Sequence, residues 1–251
     1  MSTTEPSPPA DTDFHGNCLP VLIGSLPLQE HRQATELILR YTPGIPLWAQ
    51  LPSLEDEGML AQFLPGMPGR VRREGKECID TDSADFDQEL LAFYERYMEV
   101  AEHGPESGDP LFSLDRERSA GFFRLLDTLA EQDFPLSAVK GQITGPITFG
   151  TGVKDQQGRA IFYNEQLRDA AVKLLAFKAA WQVDRLARFQ VPVLIFFDEP
   201  ALAGFGSSEF ISISREDVQN SLHEVMEPVR QRQGLAGVHV CANADWSVIL
   251  D

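Results

Sequence analysis

The run VPVLIFFDEPAL (191–202) stays apolar up to Phe197, then meets two carboxylates and a proline. Successive side chains on a strand point to opposite faces, so such a run is stable only where both faces are covered. That requirement points to a parallel sheet flanked by helices. Four other stretches read as strands feeding the same kind of sheet: LPVLIGSLP (19–27), IPLWAQLP (45–52), the start of LSAVKGQITGPITFG (136–150) and the start of LAGVHVCANADWSVILD (235–251). Apolar residues at helical spacing predict helices over 28–42, 86–103, about 115–131, about 164–190 and 214–232. The last of these opens on Ser214 and Asp217 in capping-box spacing. Residues 53–84 mix turn formers with charge and read as a long excursion with room for a hairpin.

No Gly-rich phosphate fingerprint follows the first strand, which argues against a dinucleotide-binding sheet. The pattern fits a TIM (β/α)8-type barrel better, apparently incomplete, with about five βα units where eight close the cylinder. The 251 residues suit one domain, expected over 19–251, after a polar, proline-bearing tail at 1–18 that is expected to be disordered. The tail lacks the basic-then-apolar pattern of a secretory signal, and three scattered cysteines make no disulfide framework, so a cytoplasmic protein is expected. A net charge of −17 repels nucleic acid and anionic lipid, and no segment approaches the roughly 20 apolar residues of a membrane span.

Polar residues gather at the carboxyl ends of the apolar runs, where a barrel would collect them into one ring. They are Ser25, then Trp48 and Gln50, Lys140 with Gln142 and Thr144, Asp198 with Glu199, and His239 with Cys241. A neutral imidazole and a thiolate two residues apart on a strand can bind one zinc ion from the same side. They can also be a core cysteine beside a histidine bonded to backbone, and two donors alone do not make a site. Asp198 follows two phenylalanines at a strand end, where a carboxylate can hold a substrate ammonium or serve as a base. Glu199 points the other way and is expected to cap a loop. Gly141 and Gly145 would allow a ligand close to the backbone, or simply form a tight turn. Cys18, Cys78, His15, His31 and the basic cluster RVRREGKE (70–77) read as solvated bystanders, and Trp48 and Trp181 as core.

Taken in order, IGSLP (23–27), KGQITGP (140–146), FDEPAL (197–202) and HVC (239–241) resemble the catalytic barrel of cobalamin-independent methionine synthase. They also resemble its short relatives in the uroporphyrinogen-decarboxylase-like superfamily. The resemblance implies a (β/α)8 barrel, a role in methionine biosynthesis, and His239 and Cys241 as two zinc ligands. It places Asp198 on the substrate's amino group and Ser25 beside the bound amino acid. The zinc would activate the sulfur of homocysteine, which takes a methyl group from a methyl-folate or a methyl-corrinoid, the latter carried on a corrinoid protein.

The family completes its zinc site with a glutamate and a second cysteine, and uses a proton-donating histidine. All three lie further along than residue 251, so the expectation is a chain cut from a longer protein, with open sheet edges that favour self-association. Two alternatives stand beside this reading. One is a methylcobamide:coenzyme M-type thiol methyltransferase. The other is a barrel-derived binding module without catalysis.

Overall fold

The computed structural model describes residues 14–103, 109–206 and 213–250. Most of the proposed tail therefore lies outside the described residues. The chain is mixed α/β. Three parallel strands, β3 (Val139–Thr144), β4 (Val193–Asp198) and β5 (Leu235–His239), form a sheet in that order. A separate hairpin is made of β1 (Arg70–Arg73) and β2 (Lys76–Ile79). The helices are α1 (His31–Tyr41), α2 (Phe86–His103), α3 (Ala120–Glu131), α4 (Pro146–Gly152), α5 (Glu165–Leu186), α6 (Arg215–Gln231) and α7 (Ser247–Leu250).

Two further extended segments continue the sheet through single parallel bridges. Leu47 pairs with Lys140, and Ser25 pairs with Gln50. Backbone hydrogen bonds support both, from Lys140 N to Pro46 O at 2.9 Å and from Gln50 N to Gly24 O at 3.0 Å. The order across the sheet is thus 22–26, 46–50, β3, β4, β5, which follows the chain. Among the described residues this row does not close into a barrel: β5 pairs only with β4, and segment 22–26 only with 46–50.

The centre of the row is the best packed. Every residue of β3 is buried, and Ile195 and Phe197 of β4 are fully enclosed. The 22-residue helix α5 covers one face and is itself buried almost all round, as a helix between sheet and outer helices must be. Asn164 caps its first turn by accepting from Leu167 N. Helix α6 packs on α5 and β5, and opens with the reciprocal Ser214–Asp217 capping box that the sequence predicts. Trp48 and Trp181 both lie in the core, as expected.

Three expectations are corrected. Segment 19–27 is not a buried strand: Val21 and Ile23 are 41% and 48% exposed, because among the described residues no strand flanks it on its outer side. The Gly/Thr/Pro-rich end of 136–150 reads from its composition as a loop, but Pro146–Gly152 form the helix α4, largely buried and begun by Pro146 at its first position. Cys78 sits half-buried on β2, paired with Val71, while Cys18 and Cys241 are exposed. The basic cluster 70–77 is solvated, as expected, and is the hairpin for which the 53–84 excursion left room. It turns at Glu74–Gly75 with positive φ at both residues and is tied by Arg70–Glu77 at 3.0 Å and Arg72–Glu55 at 2.8 Å.

Candidate functional site

The register across the sheet aligns the strand ends. Thr144 pairs with Asp198, and Asp198 pairs with His239, so the three residues stand in one row. Pleating puts Lys140, Gln142 and Thr144 on the same face as Phe196 and Asp198, with the opposite face turned to α5. Lys140 lies behind this row, fully enclosed. Its Nζ donates to Ile23 O at 2.6 Å and to Gln142 Oε1 at 3.2 Å, and sits 5.0 Å from the centre of the Phe196 ring. The lysine thereby ties the exposed first segment, which carries Ser25, to the middle of the sheet.

In front of the row opens a pocket of about 380 Å³. Ser25, Asp198, His239 and Cys241 all line it, joined by Glu57 and Met59. Four residues singled out from three separate stretches of sequence therefore meet at one concavity. A larger groove of about 650 Å³ runs along the outer edge of β5 between α6 and α7. It is lined by apolar groups such as Val238, Trp246 and Leu250, together with Gln219, Asn220, His223 and Arg230.

The two carboxylates of the DEP turn part company. Asp198 is 8% exposed, and its Oδ1 is buried without a hydrogen-bond partner among the described residues. Burial pushes its carboxyl up to about 6, opposed by the nearby Lys140 charge. Burial in turn lowers the Lys140 ammonium to about 8, with Asp198 pulling the other way. The His239 imidazole is lowered first by burial and then by Lys140, which favours the neutral ring.

Glu199 is fully buried and faces α4. It accepts from Ile147 N at 2.8 Å, Thr148 N at 2.7 Å and Thr148 Oγ1 at 2.6 Å, satisfying orphan donors at the start of that helix. Complete burial pushes this carboxyl up to about 7, with the three donors acting against the rise. The expectation that Glu199 caps a loop is corrected: it caps the first turn of helix α4, 51 to 52 residues earlier in the chain.

This arrangement overturns the reading of Gly145 and Gly141 as openings for a ligand. A Cβ on Gly145 would run into the Glu199 side chain. One on Gly141 would meet Gln182 Oε1 at 2.6 Å and Ile195 Cδ1 at 2.7 Å, within the contact between α5 and the sheet. Both glycines serve internal packing.

His31 is likewise no bystander. Its Nε2 lies 2.6 Å from Glu57 Oε1, while Glu57 Oε2 accepts from Leu51 N at 3.1 Å. The pair supports the wall of the pocket that Glu57 lines. Its partners are 26 residues apart, with a chain reversal between them, so no local spacing could have joined them.

One nitrogen and one sulfur donor fit zinc by chemical type, and both face the same pocket. They make half of a tetrahedral set. Among the described residues no three His, Cys, Asp or Glu side chains gather closely enough to hold a metal ion. The imidazole and thiol leave the strand together: β5 ends at His239, and Cys241 is exposed on the bend beyond. No described helix is long and apolar enough to cross a membrane. No protein-family model matches the chain, and no curated protein matches it.

Proposed function

We propose that the chain contributes the catalytic face of a zinc-dependent methyltransferase that methylates a small thiol, with homocysteine as acceptor. In this reading the five parallel segments belong to a (β/α)8 barrel. His239 and Cys241 would hold the ion with donors from outside the described residues. Bound zinc supplies a low-energy thiolate form of the acceptor sulfur at neutral pH.

The chain's own residues account for the rest of the recognition. Asp198, with a free buried oxygen, accepts from the substrate ammonium, and the pairing restores a carboxylate that burial disfavours. Ser25 offers its hydroxyl at the opposite wall. In this reading the thiolate sulfur would form the new S–C bond as the methyl–cobalt or methyl–nitrogen bond breaks with its electron pair left on the donor, and a folate nitrogen would take up a proton equivalent to the one the thiol released.

The observation that carries the reading is the convergence of Ser25, Asp198, His239 and Cys241 on one pocket of about 380 Å³. Asp198 also favours an amino-acid thiol over a sulfonate thiol, since a carboxylate attracts an ammonium and repels a sulfonate. The test is methyl transfer from methylcobalamin, and separately from methyltetrahydrofolate, to homocysteine by zinc-loaded protein. Cys241→Ser should abolish transfer, and Asp198→Asn should raise the homocysteine KM about tenfold or more, consistent with losing a charge-assisted contact. Transfer undiminished in Cys241→Ser would overturn the proposal.

A further inference from the structure

A second groove lies away from the pocket, between α1 and α3, which pack together. Arg32, Thr35, Glu36, Leu39 and Arg40 fall at the spacing of one helix face, and Arg124, Thr128 and Glu131 do the same on α3. Together they line about 320 Å³.

Two buried donors in this groove have no partner among the described residues. Thr35 is 2% exposed and its Oγ1 is unpaired, as is the buried Nε of Arg124. A helical threonine ordinarily satisfies its hydroxyl on the carbonyl four residues back. Thr42 does so with Ile38 O at 3.0 Å, and Thr128 with Arg124 O at 2.8 Å. Thr35 does not. Arg40 makes no ion pair among the described residues; its guanidinium rests over the Tyr41 ring. Arg32 reaches only Glu36, at 3.7 Å and largely in solvent. Three guanidiniums thus face two carboxylates, Glu36 and Glu131, on a chain whose net charge is −17.

We infer that this groove binds the phosphoryl group of a small molecule. Thr35 Oγ1 and Arg124 Nε donate from the floor, and Arg32 and Arg40 close over the ligand at the rim. Several donors converging from two helices suit a tetrahedral oxyanion, and guanidinium forks match its paired oxygens. The volume and the acidic remainder of the surface exclude a polyanion. The inference stands independently of the metal reading.

Isothermal titration of the full chain at low salt, with inorganic phosphate and with glycerol 3-phosphate, tests it and separates the free ion from an esterified one. Saturable one-to-one binding of either is expected. Arg124→Gln should weaken it about tenfold or more, and Thr35→Val and the exposed Arg40→Gln severalfold. Arg72→Gln, on the hairpin, should change nothing. Arg40→Gln is free of core packing and carries the test should Arg124→Gln fail to fold. No saturable binding of either probe, an unchanged affinity in Arg124→Gln and Arg40→Gln, or tighter binding of citrate than of both phosphates would overturn the assignment.

Discussion

At the end of β4 two adjacent carboxylates face two different regions. Glu199 looks into the packed side of the sheet, where three donors at the start of α4 meet it and Gly145 leaves it room. Asp198 looks into the pocket, where one of its oxygens has no partner among the described residues and burial opposes its charge. Both are nearly inaccessible, so burial alone does not distinguish them. What distinguishes them is satisfaction. A buried acid whose lone pairs are all used by its own fold is structural, and one left wanting is available to a ligand.

The contrast yields graded predictions. Glu199→Ala strands three donors in the core and should destabilise the protein by about 4 kcal/mol, measured by urea unfolding. Gly145→Ala should cost about 2 kcal/mol through its clash with that side chain. In the double variant the costs should fall short of their sum, because the new methyl group occupies the vacated space. Additive costs would mean that the two residues do not meet.

Asp198→Asn should act in the opposite direction. The folded carboxyl titrates near 6, against the ordinary value of 3.8. Its protonated form therefore favours folding fully below pH 3.8, and that contribution is lost as pH rises through 6. An uncharged asparagine avoids the loss, so the variant should gain up to about 3 kcal/mol at pH 8 and nothing near pH 3. Stability falling at pH 8 would show that Asp198 is satisfied after all. Lys140→Met should move the Asp198 titration above 6 by removing the opposing charge, a smaller change that carboxyl carbon NMR would follow. Smallest of all, Cys241→Ser lies at an exposed bend and should alter stability by less than about 0.5 kcal/mol. Its effect belongs to activity.

The same contrast shows what the sequence could reveal. The helices over 86–103 and 214–232 were legible because their apolar spacing and the Ser214–Asp217 cap are local signals. The ends of the apolar runs pointed to the residues that meet at the pocket, since chain order and sheet order coincide. Helix α4 was hidden because GPITFG reads as turn chemistry, and its capping group, Glu199, lies 51 residues from Thr148. The His31–Glu57 pair and the open donors of Thr35 and Arg124 were hidden for the same reason: each depends on what another element brings near. Segment 19–27 misled by composition, its apolar residues standing at an edge that nothing among the described residues covers.

Zinc-edge X-ray absorption on the metal-loaded protein examines the shared cation most directly. A site shared by the two side chains predicts sulfur scattering near 2.3 Å that loses one sulfur in Cys241→Ser, and nitrogen scattering near 2.0 Å that loses one nitrogen in His239→Gln. A zinc shell left unchanged by both substitutions would contradict it.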